Sequence, residues 1–121
     1  MAPRGVAKTL ALGRVAIGAA LVVAPRIAAR PWIGPDADRD PVTVLARALG
    51  VRDLVLGLMA LHTLDRPEVA ARWQRTLAVC DLVDLGASAV ARDALAPSAL
   101  AGVGAVAGGA AAAELWLAGR L

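Results

Sequence analysis

Two carboxylates stand close together in an apolar part of the chain. Asp81 and Asp84 are separated by Leu82 and Val83, so on a helix the two acids would share one face. Two like charges on one face raise the proton affinity of one of them, which is what a general acid or a proton-binding site needs. Asp81 and Asp84 are therefore the candidate catalytic residues, although no Ser or His completes a familiar catalytic set with them.

Other charged residues also lie within apolar stretches. Those of the first three predicted helices balance, three against three: Arg14, Arg47 and Arg52 with Asp53, Asp81 and Asp84. Glu114 lies in the fourth helix. An ionisable group in an apolar helix is costly unless another helix supplies its partner, so we predict a buried, largely self-neutralising polar core.

Guanidinium groups bind carboxylates through two parallel hydrogen bonds, which predicts pairs between helices. The expected pairs are Arg14 with Asp84, and Arg47 or Arg52 with Asp81. Arg52 and Asp53 are ~100° apart around one helix, so we expect them to reach different partners.

This core has three alternative roles. It fixes only the register and orientation of the helices, or it forms the acid site at the two aspartates, or it orients the polar head of an apolar ligand such as a lipid, an isoprenoid or a quinone. The residues assigned to the ligand-binding or structural core are Arg14, Arg47, Arg52, Asp53, Gln74 and Ser88.

Prolines divide the chain into helical segments. Proline suits the first turn of a helix and disfavours helix in the residue before it, and Pro25, Pro41, Pro67 and Pro97 provide these boundaries. The predicted helices cover residues 6–24, 41–64, 67–95 and 97–118, and the prolines and aspartates of residues 31–40 indicate a surface loop. Because no strand-like alternation occurs, we predict a single all-α domain, a four-helix up-down-up-down bundle.

Small residues form seams on two of these helices. Gly50 and Gly57 flank Asp53 on one stripe of the second helix, and Gly104 and Gly108 form a GxxxG step on the fourth. Such seams let helix backbones approach closely, so all four glycines are predicted helix-packing residues. A homo-oligomer through the fourth helix is a further expectation.

Hydropathy favours a membrane over water as the environment. Hydrophobic residues make up 59% of the chain, and residues 94–113 carry no charge, which at ~1.5 Å per residue is just long enough to cross ~30 Å of hydrocarbon. The first segment is similar to a secretory signal, but Arg14 interrupts its apolar run, so we interpret it as the first helix of the mature protein. The distribution of Lys and Arg predicts a multi-pass protein of the cell membrane with both termini in the cytoplasm.

Several classes of function are disfavoured by composition. Cys80 is the only cysteine, so neither an intrachain disulfide nor a multi-Cys zinc site can form. His62 is also alone and is interpreted as a helix-end polar residue, so we expect no metal and no cofactor. The net charge of +3 is spread along a chain with 2% aromatic residues, which disfavours a nucleic-acid partner.

Residues 47–57, RALGVRDLVLG, together with Leu12-Gly13-Arg14 and Asp81-Leu82-Val83-Asp84, carry a resemblance to known proteins. With these motifs the chain resembles small four-helix actinobacterial membrane proteins of unknown function, and loosely the DoxX-like proteins. The resemblance implies a membrane bundle, and no catalytic role can be carried over from it. Its characteristic polar set would be Arg14, Arg47, Arg52, Asp53, Asp81 and Asp84.

The first functional hypothesis is a small integral membrane protein whose Arg/Asp core binds an apolar ligand or partner helices within the lipid bilayer. The second is a membrane-embedded enzyme, an isomerase, cyclase or hydrolase of a lipid-like substrate, that uses Asp81 or Asp84 as its acid. The third is a soluble helical bundle.

Overall fold

The structure, a computed structural model, describes residues 2–121, and over that range it contains helices and no strand. The predicted all-α class is confirmed. The fold has five helices rather than four: α1 (Pro3–Val23), α2 (Pro25–Ile33), α3 (Asp40–His62), α4 (Pro67–Val90) and α5 (Pro97–Ala118). α5 is continuous but contains a π-helical segment, Gly104–Gly108.

The additional helix, α2, and the turn that follows it occupy much of the predicted loop. α2 begins at Pro25, where the missing N–H is not needed, and continues to Ile33. A 3-10 turn then covers Gly34–Asp38. Gly34 has φ +79°, a conformation that glycine adopts without steric cost.

α4 ends at Val90 and not at residue 95 as predicted. A 3-10 turn, Arg92–Ala94, follows it. Ala96 is then extended, with φ −64° and ψ 147°, as a residue before a proline prefers. The proline that opens α5 therefore limits how far the preceding helix can continue.

α1 and α3 form the closest helix pair, and they touch through their backbones. A Cβ built on Gly18 would lie 2.6 Å from the carbonyl oxygen of Gly50, and one built on Gly57 would lie 2.9 Å from the oxygen of Ala11. Contacts this short leave no room for any side chain. In the structure Gly50, Gly57 and Gly18 all lie where these two helix backbones come closest.

α4 and α5 form the second pair, but Gly104 and Gly108 make no close backbone contact in it. A Cβ on Gly104 would meet nothing within 4 Å, and one on Gly108 would be 3.8 Å from the Leu85 side chain. The buried stripe of α5 instead passes through Ala107 and Ala111. Gly108 lies at ordinary van der Waals distance from α4, whereas the space beside Gly104 is open. Neither glycine is required for close backbone approach within the chain, and helix packing through Gly104 and Gly108, like a homo-oligomer through this face, stays a prediction.

The chain termini and the α3–α4 connection lie at one end of the bundle. Arg4 donates to the carbonyl oxygen of Leu64 at 2.8 Å and binds the carboxylate of Asp65, and Leu117 packs with Leu64 in one apolar cluster. The hydrogen bond from Arg4 lowers the pKa of Asp65 below its usual value. Consecutive long helices therefore alternate in direction, with α2 at the opposite end.

Polar and charged side chains lie inside this bundle, and large apolar side chains lie on its outside. The largest fully buried side chains include Gln74 and Glu114 beside Leu77 and Leu117, whereas the other buried hydrophobic residues are mostly alanines. Large apolar side chains cover the outside of the long helices, among them Ile17, Val44, Leu45, Val51, Val55, Leu58, Val79, Leu82, Val83 and Leu115. Two helices of the described range, α1 and α5, are long and apolar enough to cross a membrane.

The contact between α1 and α3 yields a testable prediction. Gly18→Ala should lower the free energy of unfolding by about 1–3 kcal/mol, because the new Cβ forces two backbones apart. Gly13→Ala is the matched control in the same helix, since its Cβ would meet nothing within 4 Å. It should leave stability unchanged or raise it by up to about 1 kcal/mol through helix propensity. Denaturant unfolding of the two purified variants, followed by circular dichroism, makes the comparison, and equal stabilities would contradict the described contact.

Candidate functional site

The candidate functional site is centred on Arg14, whose guanidinium binds carboxylates from three other helices. Nη2 donates to Asp81 of α4 at 2.6 Å and to Glu114 of α5 at 2.9 Å, and Nη1 donates to Asp53 of α3 at 3.4 Å. The Arg14 side chain is 9% exposed and that of Glu114 is 1% exposed. One cation thus joins all four long helices away from solvent.

Small residues on the buried stripes make room for these charged groups. Arg14 lies between Ala11 and Gly18 on the inner stripe of α1, and Asp53 lies between Gly50 and Gly57 on that of α3. Because the neighbours have almost no side chain, the long guanidinium reaches across the bundle axis. The predicted buried polar core is therefore present, although with different partners.

Arg52 forms a second, more accessible part of the site. Its Nη1 and Nη2 donate to the two carboxylate oxygens of Asp84 at 3.2 and 2.7 Å, a paired geometry that carboxylates favour. Nη2 also donates to Asp53 at 3.2 Å, which connects this pair to Arg14. The exposed fractions of the Arg52 and Asp84 side chains are 33% and 19%. We call these six residues the charged cluster: Arg14, Arg52, Asp53, Asp81, Asp84 and Glu114.

Three details of the predicted pairing are wrong. Arg14 pairs with Asp81 rather than Asp84. Arg52 pairs with Asp84 rather than Asp81. Arg52 also reaches its own neighbour Asp53, because its side chain is long enough to bend back around the helix.

Arg47 lies outside the charged cluster. It is exposed and donates through Nε to the carbonyl oxygen of Val22 at 3.2 Å. The buried residue next to it is Ala46, so Arg47 is turned by ~100° from the inner stripe. Its predicted place in the core is wrong.

Gln74 and Ser88 are both buried but play different parts. Gln74 contributes no hydrogen bond to the charged cluster, and its Oε1 has no partner among the described residues. Ser88 accepts a hydrogen bond from the Trp32 indole at 2.9 Å and donates to the Asp84 carbonyl oxygen at 2.9 Å. Ser88 therefore fixes α2 beside the cluster.

Glu114 is the residue that the predicted site omitted. Counting charges over only the first three helices gives a neutral core, whereas the charged cluster contains four carboxylates and two guanidiniums. The position of Glu114 within an apolar helix is a usable signal, since ionisable residues there are costly unless they are partnered. One of its oxygens, Oε2, is buried and has no hydrogen-bond partner in the described part of the chain.

A cavity of about 370 Å³ adjoins the charged cluster. Its apolar wall consists of residues from α1, α2, α3 and α5: Leu10, Ile17, Leu21, Ala28, Ala29, Trp32, Leu49, Val106, Ala107 and Ala110. The charged groups that line it are Arg14, Asp53, Asp81, Asp84 and Glu114. Ile17 and Val106 line the cavity and are also 49% and 62% exposed, so it opens between α1 and α5 onto the apolar outer surface.

The two predicted catalytic residues, Asp81 and Asp84, bind different arginines. Asp81 binds Arg14 and Asp84 binds Arg52. In the structure it is Asp81 and Glu114 that share one nitrogen of Arg14 and therefore lie close together. Over residues 2–121, no group of His, Cys, Asp and Glu residues has the arrangement of a metal site.

Comparisons with known proteins identify no relative: no family model matches the chain, and neither a curated protein nor a solved structure matches it. The resemblance to DoxX-like proteins accordingly stays a prediction. Function must therefore be inferred from the charged cluster and its cavity.

The central position of Arg14 can be tested by removing its charge. Arg14→Met should lower the free energy of unfolding by about 3–5 kcal/mol, since it leaves the buried carboxylates of Asp81 and Glu114 without a cation, while Asp53 keeps Arg52. Arg47→Met makes the same chemical change at the surface and should stay within about 0.5 kcal/mol of the parent protein. Chemical denaturation of both variants under one condition measures the difference. Equal losses of unfolding free energy in the two variants would show that the buried ion pairs of Arg14 do not contribute to stability.

Proposed function

We propose that the protein is a multi-pass membrane protein that binds an amphiphilic small molecule, with the apolar part in the cavity and the polar end at the charged cluster. The observation that carries the proposal is that one cavity joins the apolar surface to the charged cluster. It leads from exposed apolar side chains, Ile17 and Val106, to the buried carboxylate of Glu114. This combination of apolar walls with a few convergent polar groups is typical of small-molecule sites, whose volumes are ~300–1,000 Å³.

The inverted polarity supports a membrane environment for all four long helices. In water, the exposed Leu and Val side chains would form an unusually large apolar surface, and a core of alanines and charges would offset little of it. In lipid the same outer surface is well solvated, and charged groups are expected to face the bundle interior and pair with one another. In the middle of α3 and α4, Asp53 and Asp81 are inside and Val55 and Val83 are outside. The exposed Arg47, Arg72 and Arg75 lie within the first nine residues of these helices, where a long side chain can reach the membrane interface.

Basic residues support an orientation for the bundle. The end that carries both termini holds six basic residues, Arg4, Lys8, Arg66, Arg72, Arg75 and Arg120, whereas the opposite end holds five, Arg26, Arg30, Arg39, Arg47 and Arg92. At that opposite end, acidic partners bind Arg26 and Arg30. An excess of Lys and Arg favours the cytoplasmic side, so we place both termini there.

Cell fractionation tests the membrane assignment. The protein should sediment with membranes after detergent-free lysis, resist extraction by alkaline carbonate, and dissolve in a mild detergent, because its outer surface is solvated by lipid. Recovery of the folded protein in the ultracentrifugation supernatant would instead identify a soluble bundle.

Filling the cavity tests the binding function. Ala110 lines the cavity, whereas Ala112, in the same helix, is exposed and does not. Ala110→Leu should displace an amphiphile that co-purifies with the detergent-extracted protein, because the larger side chain occupies its volume, and Ala112→Leu should retain it. Native mass spectrometry of the parent protein and both variants detects the bound molecule. A parent protein without any bound molecule, or equal occupancy in the two variants, would contradict the proposal.

A further inference from the structure

The charged cluster contains more negative than positive groups. Two guanidiniums, those of Arg14 and Arg52, meet four carboxylates within hydrogen-bond or ion-pair distance. With all four acids ionised, the buried group would carry two uncompensated negative charges. Burial of unpaired charge is strongly unfavourable, so the cluster must hold protons or attract a further cation.

Among the four carboxylates, Glu114 most clearly needs a proton or a further cation. Its side chain is 1% exposed, it lines the cavity, and its Oε2 has no partner among residues 2–121. The facing charged groups come from the three other long helices: Arg14 from α1, Asp53 and Arg52 from α3, and Asp81 and Asp84 from α4. α2 contributes only Ala28, Ala29 and Trp32 to the cavity wall.

The chemistry of these groups selects the head group of a ligand. Both terminal nitrogens of Arg14 and both of Arg52 already donate to carboxylates. Arg52 Nε is buried without a partner, but Arg52 does not line the cavity. An anionic or carbonyl head in the cavity would therefore compete for occupied donors. An ammonium group has up to three donors and no acceptor, which suits the unpartnered carboxylate oxygen. A bare metal ion is disfavoured, since the described acids do not have the arrangement of a metal site.

Building on the proposed function, we propose that the amphiphile is a lipophilic amine, bound as its ammonium ion in exchange for a proton held by the charged cluster. The alkyl part occupies the apolar cavity between α1 and α5, and the ammonium donates to Glu114 and Asp81. The exchange is balanced in charge: one cation enters, and one proton passes from the cluster to bulk water. No covalent bond forms or breaks. Binding is therefore opposed by protons and strengthens as pH rises.

The test uses three probes that share one alkyl chain: decylamine, decanol and decanoate. The detergent-purified full-length protein is incubated with radiolabelled decylamine, and the unlabelled probes compete for it. Decylammonium has an ordinary amine pKa near ~10.4, so it stays charged at both about pH 5.5 and about pH 8.5. Any change in affinity between these conditions then reports protonation of the protein.

Decylamine should bind at least about tenfold more tightly than decanol or decanoate, and at least about tenfold more tightly at the higher pH. Glu114→Gln should abolish the pH dependence and most of the preference for the amine. Glu68→Gln is the matched control, because Glu68 is exposed in the first turn of α4, and it should bind like the parent protein. Asp81→Asn provides a second charge-neutralising variant, and the folding of each is checked by circular dichroism.

The outcomes separate this inference from the function on which it depends. If decanol and decanoate bind as well as decylamine, or if binding of the parent protein does not change with pH, the amine assignment is overturned while the cavity still binds amphiphiles. If none of the three probes binds and Ala110→Leu changes nothing, the binding function itself is overturned. Should Glu114→Gln fail to fold, the pH dependence of the parent protein and the effect of Asp81→Asn decide the question.

Discussion

The contact of one guanidinium with three carboxylates determines the rest of this structure. Arg14 binds Asp53, Asp81 and Glu114, one from each of the other long helices. A buried cation can be stable only if its partners are close and well oriented, so the three helices must keep one register relative to α1. Desolvation of the ions offsets much of their attraction, so the cluster is expected to add less to stability than the number of its ion pairs suggests.

This requirement also accounts for the small residues. Gly18 and Gly50 bring the backbones of α1 and α3 into contact, which places Asp53 within reach of Arg14. Packing of this kind depends on close backbone approach rather than on large apolar side chains, which is consistent with the proposed membrane environment. The large Leu and Val side chains are then free to cover the outside.

The same arrangement creates the cavity. α1 and α3 form one close pair and α4 and α5 form another, and the charged cluster connects the two pairs. The space beside the cluster is bounded by α1, α5 and the short α2, which Trp32 and Ser88 hold in place. In the proposed membrane setting, a site with apolar walls and buried carboxylates would accommodate a molecule that is itself apolar at one end and polar at the other.

Much of this fold could be predicted from the sequence, because its signals are local. Prolines mark the starts of α2 to α5 or the ends of the helices before them, and helical spacing places Asp53 between Gly50 and Gly57. The partners of each charge could not be predicted in this way, since they depend on how far an arginine side chain reaches between helices. Glu114 was recognised as a charge in an apolar helix but was given no partner and no site role, because the charge count covered only the first three helices. The local composition of residues 25–33, with Pro31, indicates a loop. They form a helix because the fold packs them against other helices.

A double-mutant cycle on Arg14 and its acids tests the central claim most directly. Arg14→Met is compared with Asp81→Asn/Glu114→Gln, and with a protein that carries all three substitutions, by chemical denaturation in one detergent. If burial of unpaired charge dominates, the triple variant should be more stable than Arg14→Met alone, and the losses should fall short of additivity by more than about 0.5 kcal/mol. Losses that simply add would mean that Arg14 and the two carboxylates act independently, which would contradict a bundle organised around one shared guanidinium.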